Sequence, residues 1–210
     1  MIRLNSSLVS IAAEFCGKYS PYQAIEISPA AGGGVYVTST DGGRVVCLAH
    51  DPAGICSEVT RLLPDSDLLR YSRGIKTADR ELTVNGNNAV VTTFRKTTSE
   101  KKEFTVTHSI SDSPPLAQAV KACIDKWSPT PTTTSTAGRY ESAYVERALK
   151  GLGQGDGSVV MSAFDGGPMR LQTDRGNVVI LVMPQTAEPI PPIPDWLINF
   201  AKADELVATA

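Results

Sequence analysis

Aromatic residues are scarce in this chain of 210 residues, at 6%, whereas glycine and proline are common, at 17 and 14 residues. This balance favours short strands joined by tight turns over a helical bundle. No apolar run approaches the roughly 20 residues that a membrane-spanning helix needs. The apolar stretch 8–16 is interrupted by Ser10 and Glu14 and is followed by no clear cleavage site. We therefore expect a cytoplasmic protein that has no membrane partner.

The motifs of common hydrolases and metal sites are also missing. The chain has two histidines, and neither H-E-x-x-H, C-x-x-C nor G-x-S-x-G occurs. We place His108 on the apolar face of a strand, as a core histidine, and His50 in a loop. The glycine groups at 32–34 and 151–157 do not match the phosphate-binding loop and are interpreted as turns. The sequence predicts a protein that is not an enzyme and that needs no metal or cofactor.

Cysteine content and net charge exclude no class of binding partner. The four cysteines lie among apolar neighbours, as reduced thiols of a protein core do. They are Cys16, Cys47, Cys56 and Cys123. The formal net charge of −2 neither supports nor excludes a nucleic-acid partner. A DNA-binding surface would need basic side chains gathered on one face.

Hydrophobic periodicity predicts an α+β fold with antiparallel sheets, because most strand connections are too short for parallel crossovers. Helices are predicted over 6–17, 51–63, 115–127 and 139–152. Strands are predicted over 22–27, 35–39, 44–48, 81–84, 89–94 and 103–110, followed by a meander over 158–164, 169–173 and 178–183. Asn85-Gly86-Asn87 is a strong hairpin signal. The stretch 128–138 is rich in Pro, Thr and Ser and indicates a loop or linker.

Two segments resemble one protein family. Residues 35–45, VYVTSTDGGRV, resemble the strand-turn-strand of the middle domain of the bacterial DNA polymerase III beta subunit, the sliding clamp. In that family a Thr-Asp-Gly-His-Arg-Leu sequence lines a groove for partner peptides. The segment from Gly138-Arg139-Tyr140 through a helix to VVILVMP at 178–184 resembles the end of the family's last domain.

The resemblance implies a DNA-clamp-like fold in which pairs of helices pack on one face of antiparallel sheets. It divides the chain into a clamp-like domain at 1–112 like the family's middle domain, an abridged clamp-like domain at 113–186 like its last domain, and a Pro-rich tail at 187–210. Family members carry three similar domains, so the first would be absent here. Ring closure would then require self-association, as a dimer or a trimer.

The resemblance also implies a peptide-binding groove. Its residues would be Thr40, Gly42, Gly43, Arg44, Val45, Leu181, Met183 and Pro184. Val45, Leu181, Met183 and Pro184 would form an apolar floor, and Thr40, Gly42 and Arg44 the wall. Gly43 and Gln185 stand where the family has His and usually Met. The partners expected for this groove are DNA polymerase or other replication and repair proteins that carry short peptide motifs.

A clamp also needs basic side chains that contact phosphates of double-stranded DNA without reading its bases. The candidates are Lys18, Arg61, Lys121, Lys126, Arg147 and Lys150, although each is also typical of a solvated helix face. Residues 195–200, DWLINF, loosely resemble the Leu-and-aromatic motifs that clamps bind, and a plain closing helix is the alternative.

Two other classes of function remain open. A structural or adaptor protein with the same layout would self-assemble without binding DNA, and an enzyme would have a cleft converging on His50 or on paired carboxylates. A clamp should keep an apolar pocket between the turn at 40–45 and Met183.

Overall fold

The computed structural model describes residues 1–112, 114–116, 120–121, 138–154, 158–162 and 168–185, together with Pro194. The helices within these residues are α1 (Ser6–Ala13), α2 (Ser66–Ser72) and α3 (Ser142–Leu152). The strands are β1 (Ile2–Asn5), β2 (Ile25–Pro29), β3 (Val35–Thr40), β4 (Val45–Asp51), β5 (Ile55–Cys56), β6 (Thr60–Leu62), β7 (Ala78–Asn85), β8 (Asn88–Arg95), β9 (Lys101–Val106), β10 (Val159–Ser162), β11 (Met169–Thr173) and β12 (Val178–Val182). They form two antiparallel sheets, which confirms the predicted fold class.

The five-stranded sheet has the order β5-β1-β7-β8-β9. Its central hairpin, β7–β8, turns where the sequence predicts it, since Asn85 pairs with Asn88. Gly86 takes a φ of 56° in this turn, a conformation that glycine adopts without the clash of a Cβ.

The seven-stranded sheet has the order β10-β11-β12-β4-β3-β2-β6. Strands β10 to β12 come from the predicted second domain, and the other four come from the first. The two groups join where β12 pairs with β4, with Val45 opposite Val182 and Val46 opposite Leu181. The domain boundary near residue 112 stays a prediction, but the backbone hydrogen bonds of one sheet connect its two sides.

One hydrophobic core lies between the two sheets and the three helices. Helix α1 is central to it, contacting α2, α3 and strands of both sheets. The Asn5 side chain caps α1 by accepting the N–H of Ser7. Just past the helix, Phe15 is completely buried, and full burial of such a side chain contributes about 1.5–3 kcal/mol. Helix α3 reaches Phe15 through Gly151, where a Cβ would lie 3.0 Å from the aromatic ring.

The predicted helix over 51–63 is wrong. The carboxylate of Asp51 ends β4 by accepting the N–H groups of Asn5, at 2.7 Å, and of Ala53, at 3.0 Å. The chain then forms β5, which pairs with β1, and β6, which pairs with β2. The apolar residues have helical spacing, but strand pairing is favoured over a helix here. Without β5 and β6, a row of backbone groups on β1 and β2 would have no partners.

Smaller differences concern element ends and short elements. Strand β1 and helix α2 were not predicted, and the strand predicted over 103–110 ends at Val106. His108 and Ile110 consequently lie outside the five-stranded sheet, and His108 is not a core residue. Ile110 instead forms a bridge with Leu62 of β6. On α3, the helical spacing of apolar residues predicts that Leu149 is buried with Ala148 and Leu152, but Leu149 is exposed. Most of the predicted helix 115–127, the stretch 128–138 and the tail 187–210 lie outside the described residues.

Candidate functional site

The turn between β3 and β4 is held by its own polar side chains. Thr40 Oγ1 donates to a carbonyl of β4 at 2.8 Å and accepts the N–H groups of Gly42 and Gly43. Asp41 Oδ1 accepts the N–H groups of Arg44 and of the next residue, both at 3.2 Å. The glycines have φ angles of 111° and 108°, in a region that disfavours any residue with a Cβ. These contacts fix the backbone from which Arg44 projects.

The chain beyond β12 runs beside this turn and closes a cavity of about 360 Å³. Met183 N–H donates to the Arg44 carbonyl at 2.9 Å. On the other side, Gln185 N–H donates to the Arg139 carbonyl at 2.8 Å, and Gln185 Nε2 donates to Glu141 Oε2 at 2.7 Å. The residues lining the cavity are Arg44, Glu141, Tyr144, Met183, Pro184 and Gln185. A pocket therefore lies between the turn and Met183, but Arg44, Glu141 and Gln185 make half of its lining polar, so it is less apolar than the pocket expected of a clamp.

Two side chains from different elements meet at the mouth of this cavity. Arg44 Nη1 on the turn donates to the hydroxyl of Tyr144 on α3 at 3.4 Å. This hydrogen bond, helped by nearby carboxylates, raises the pKa of Arg44 above its ordinary value, so the guanidinium is cationic at any physiological pH. The cavity thus combines the opposite charges of Arg44 and Glu141 with the apolar surfaces of Met183 and Pro184.

The structure places the eight predicted groove residues in three different environments. Arg44, Met183 and Pro184 line the cavity, and Gly42 and Gly43 form the neighbouring turn. The other three are buried: Thr40, Val45 and Leu181. Because successive strand residues point to opposite faces, Val45 belongs to the main core, whereas Val46 shares a face with Leu181. Val45 therefore cannot contribute to a groove floor.

Leu181 belongs to a second apolar cluster on the opposite face of the seven-stranded sheet. Its buried members are Val46, Leu116, Val120 and Leu181, and Met183 packs against it. Glu26 fixes the covering segment, because its buried Oε2 accepts the N–H of Leu116 at 2.9 Å. The described part of the predicted helix 115–127 agrees with helical structure, since Val120 N–H donates to the Leu116 carbonyl. Leu181 is thus buried in this second cluster and does not line the cavity.

Arg147 is a structural link and not a free phosphate contact. Its Nε and Nη2 donate to the Glu14 carbonyl at the end of α1, and its Nη1 lies 3.8 Å from Asp41 Oδ2. The guanidinium also lies over the rings of Phe15 and Tyr144, 5.9 and 5.6 Å from their centroids. Arg147 therefore joins α3 to α1 and to the turn that carries Arg44.

The other predicted DNA-facing residues do not gather on one face. Lys18 is exposed after α1, and Lys150 on α3 forms an ion pair with Glu14 at 3.4 Å. Arg61 lies on β6 opposite Glu26, so its side chain shares the face of the sheet that lies away from α1 and α3. Lys121 follows Val120 on that same face. Lys126 lies outside the described residues.

Sequence reasoning missed two basic residues on the helical face. Arg70 and Arg73 lie at the end of α2 and line a cavity of about 370 Å³ together with Lys150 of α3. They were missed because α2 was not predicted. The available signals were Asp65 at the N-cap position and Asp67 in the first turn.

The histidines and cysteines form no recognisable centre in the described part of the chain. His50 Nε2 lies 3.1 Å from the Gly33 carbonyl. Burial raises the pKa of the Cys16 thiol to about 12 and that of Cys47 still further, so both stay protonated. Among the described residues, no group of three or more His, Cys, Asp or Glu could hold a metal ion, and no helix is long and apolar enough to cross a membrane. Cys123 lies outside them.

Comparison with known proteins finds structures of similar fold but no protein of similar sequence. No protein-family model matches the chain, and no curated protein sequence matches it. Solved structures do match, and sliding clamps are among them. The structure therefore confirms the resemblance inferred from the sequence, at the level of the fold.

The matching structures are DNA polymerase III beta subunits. The beta subunit of Thermotoga maritima matches with a TM-score of 0.54 and 13% sequence identity, over 93% of this chain and 66% of that chain. The DNA polymerase sliding clamp of Pseudomonas aeruginosa, solved with a ligand, matches with a TM-score of 0.52 and 11% identity, over 88% of this chain and 65% of that one. This chain spans just under two thirds of the length of either structure.

Proposed function

We propose that this protein is a non-catalytic, clamp-like DNA-replication accessory protein that binds partner peptides in the cavity beside the β3–β4 turn. The observation that supports this most is the cavity itself, which lies between the turn at 40–45 and Met183 in a chain with the sliding-clamp fold. Polymerases and repair factors carrying short motifs are the partners that we propose, and the cytoplasm is the compartment.

The cavity is chemically suited to the end of a short peptide. Met183 and Pro184 offer half-buried apolar surface, and the thioether of Met183 adapts to differently shaped side chains. Arg44 and Gln185 provide donors at the rim, where they can pair with backbone carbonyls or a terminal carboxylate. An apolar anchor surrounded by polar groups is the usual arrangement of a peptide-binding hot spot.

The test is fluorescence anisotropy with two labelled peptides, one carrying leucine and phenylalanine anchors and one with the sequence of residues 195–200. Micromolar binding is expected, and Met183→Ala should weaken it by about 5- to 30-fold, the effect of losing about 1–2 kcal/mol of contact. Met161→Ala is the matched control, because Met161 is exposed on β10 and does not line the cavity. No binding by a folded sample, or equal losses in both variants, would refute the proposal.

The second peptide separates two roles for the tail. If DWLINF binds and deletion of residues 195–210 strengthens binding of the first peptide, the tail competes for the cavity of its own or a neighbouring copy. If the deletion leaves the affinity unchanged, the tail is not a ligand, and the cavity remains free for partner proteins.

We also propose that copies of the chain assemble around double-stranded DNA, with the face formed by α1, α2 and α3 toward it. Arg70, Arg73 and Lys150 on that face support this proposal, because phosphate contacts need basic side chains but no base-reading geometry. Exposed sheet edges such as β9 and β10 could pair with another copy to close a ring.

A topological assay tests DNA encirclement separately from peptide binding. Crosslinked protein should remain on nicked circular DNA in high salt and should leave after the circle is linearised. The double variant Arg70→Gln, Arg73→Gln should load less and show a shallower salt dependence. A strictly monomeric protein, released equally from circular and linear DNA, would contradict encirclement and favour the adaptor alternative.

A further inference from the structure

At one end of the five-stranded sheet, the face that packs against the core carries polar side chains. Arg80, Thr93 and Lys102 are cross-strand neighbours on β7, β8 and β9. By strand alternation they point to the same side as Leu82 and Val91, which are buried in the main core. Beyond the end of α2, these three side chains line a cavity of about 760 Å³.

Two residues that line this cavity each have a buried polar atom that finds no hydrogen-bond partner among the described residues. Thr93 is only 8% exposed, and within the part of the chain that the structure describes neither its Oγ1 nor the Nε of Arg80 makes a hydrogen bond. The guanidinium of Arg80 is otherwise held in place, because Nη1 donates to the carbonyls of Tyr71 and Arg73 at 2.9 and 2.8 Å. Buried polar groups are nearly always satisfied in native proteins, so an adjacent unpaired N–H and hydroxyl point to a ligand with oxygen acceptors.

The charge of the cavity is positive and only partly compensated. Four basic side chains and a single carboxylate line it: Arg80, Arg95, Lys101 and Lys102, with Glu100. Glu100 pairs with Arg95 at 3.5 Å, and Lys101 pairs with Glu103 at 2.7 Å. Within the described part of the chain, no carboxylate forms an ion pair with Arg80 or Lys102. Burial also lowers the pKa of Arg80, as expected for a guanidinium that has lost water without gaining an anion.

The ring system beside the cavity gives it a fixed wall. Tyr71 of α2 stacks on Phe104 of β9 with 4.7 Å between the ring centroids. Lys102 Nζ lies 5.0 Å from the centroid of Phe104, so its charge is held at the cavity edge. The charged groups therefore have positions that a bound anion does not need to organise.

We propose that this cavity binds a phosphate group, with Arg80 and Lys102 neutralising its charge and the Thr93 hydroxyl donating to one of its oxygens. Two uncompensated cations suit a phosphate better than a singly charged carboxylate, and a guanidinium fork matches its tetrahedral oxygens. The phosphate can belong to a small phosphorylated molecule or to the backbone of a nucleic-acid strand. The site is separate from the peptide cavity and goes beyond the function proposed above.

The decisive variant is Thr93→Val, which replaces the hydroxyl by a methyl group of the same size. It should weaken binding of inorganic phosphate about tenfold in calorimetric titration, the loss of one charge-assisted hydrogen bond. Without phosphate it should raise the melting temperature by about 2–4 °C, because it removes an unpaired buried hydroxyl. Thr92→Val is the matched control, since Thr92 is equally buried but points to the other face of β8. It should leave phosphate affinity unchanged.

Two further measurements complete the test. Lys102→Gln should also weaken phosphate binding, and it avoids the backbone contacts that make Arg80 risky to replace. A ten-residue oligothymidine distinguishes the sources: if phosphate displaces it and Thr93→Val weakens it too, a nucleic-acid strand is the ligand. If phosphate binds and the oligonucleotide does not, the ligand is a small phosphorylated molecule. No heat of binding up to about 10 mM phosphate, or equal affinity in the wild type and Thr93→Val, would overturn the proposal.

Discussion

Replacing Arg147 by methionine distinguishes a structural link from a phosphate contact. Methionine keeps much of the aliphatic packing but removes the guanidinium that binds the Glu14 carbonyl at 3.1 and 2.5 Å. It also removes the pairing with Asp41 and the contacts over Phe15 and Tyr144. If the structural role is correct, the variant should be clearly less stable, because α3 loses its polar link to α1.

The size of the effect follows from these contacts. A hydrogen bond from a charged donor contributes about 1.5–3 kcal/mol, and both N–H groups share one carbonyl acceptor, so we count it once. The pair with Asp41 is long, at 3.8 Å, and partly exposed, so it adds at most about 1 kcal/mol, and the cation–π contacts add about 0.5–1 kcal/mol. The expected loss is about 3 kcal/mol. For a chain of this length that corresponds to a fall of about 6–12 °C in melting temperature.

The assay is urea and thermal unfolding followed by circular dichroism. Lys150→Met is the matched control, because Lys150 lies three residues further along the same helix and its ion pair with Glu14 is largely exposed. The control should change the free energy of unfolding by less than about 0.5 kcal/mol. If Arg147→Met is as stable as the wild type and instead weakens DNA retention, Arg147 is a phosphate contact and the structural reasoning fails.

Two further predictions each compare two residues of one type, first two glycines and then two free cysteines. Gly34→Ala should destabilise the β3–β4 hairpin far more than Gly33→Ala, because a Cβ at Gly34 would lie 2.3 Å from the Asp51 carbonyl whereas Gly33 faces open space. Both glycines have positive φ, so both variants carry a backbone strain of about 1–2 kcal/mol, and Gly33→Ala carries nothing more. Equal urea midpoints for the two variants would contradict the close packing of Gly34 against Asp51. Iodoacetamide at pH 8, followed by peptide mapping, should modify Cys56 long before Cys47, whose thiol is completely buried and has its pKa raised by that burial. Similar rates at the two sites would show that the core around Cys47 opens readily.

Local signals in the sequence were sufficient for much of the fold. The Asn85-Gly86-Asn87 turn, the strands β7 and β8 on either side of it and the helix α3 each depend on neighbours within a few residues, and each was predicted. The turn at 41–43 belongs with them, since Asp41 and two glycines with positive φ satisfy its backbone locally. The resemblance to sliding clamps rested on the same local patterns and extends to the fold.

The other features depend on contacts between residues that are far apart in the sequence. Residues 51–63 have helical spacing, yet they form β5 and β6 because strands far away in the sequence offer unpaired backbone groups. Residues 45–49 are all apolar, so only the placement of α1 and α3 decides that Val45 faces the core and Val46 the other side. Arg147 looks like any solvated helix residue until Glu14 and Asp41 are brought beside it. The sequence determined the local elements, and the tertiary structure determined their faces and charged contacts, because these depend on which distant surface covers each element.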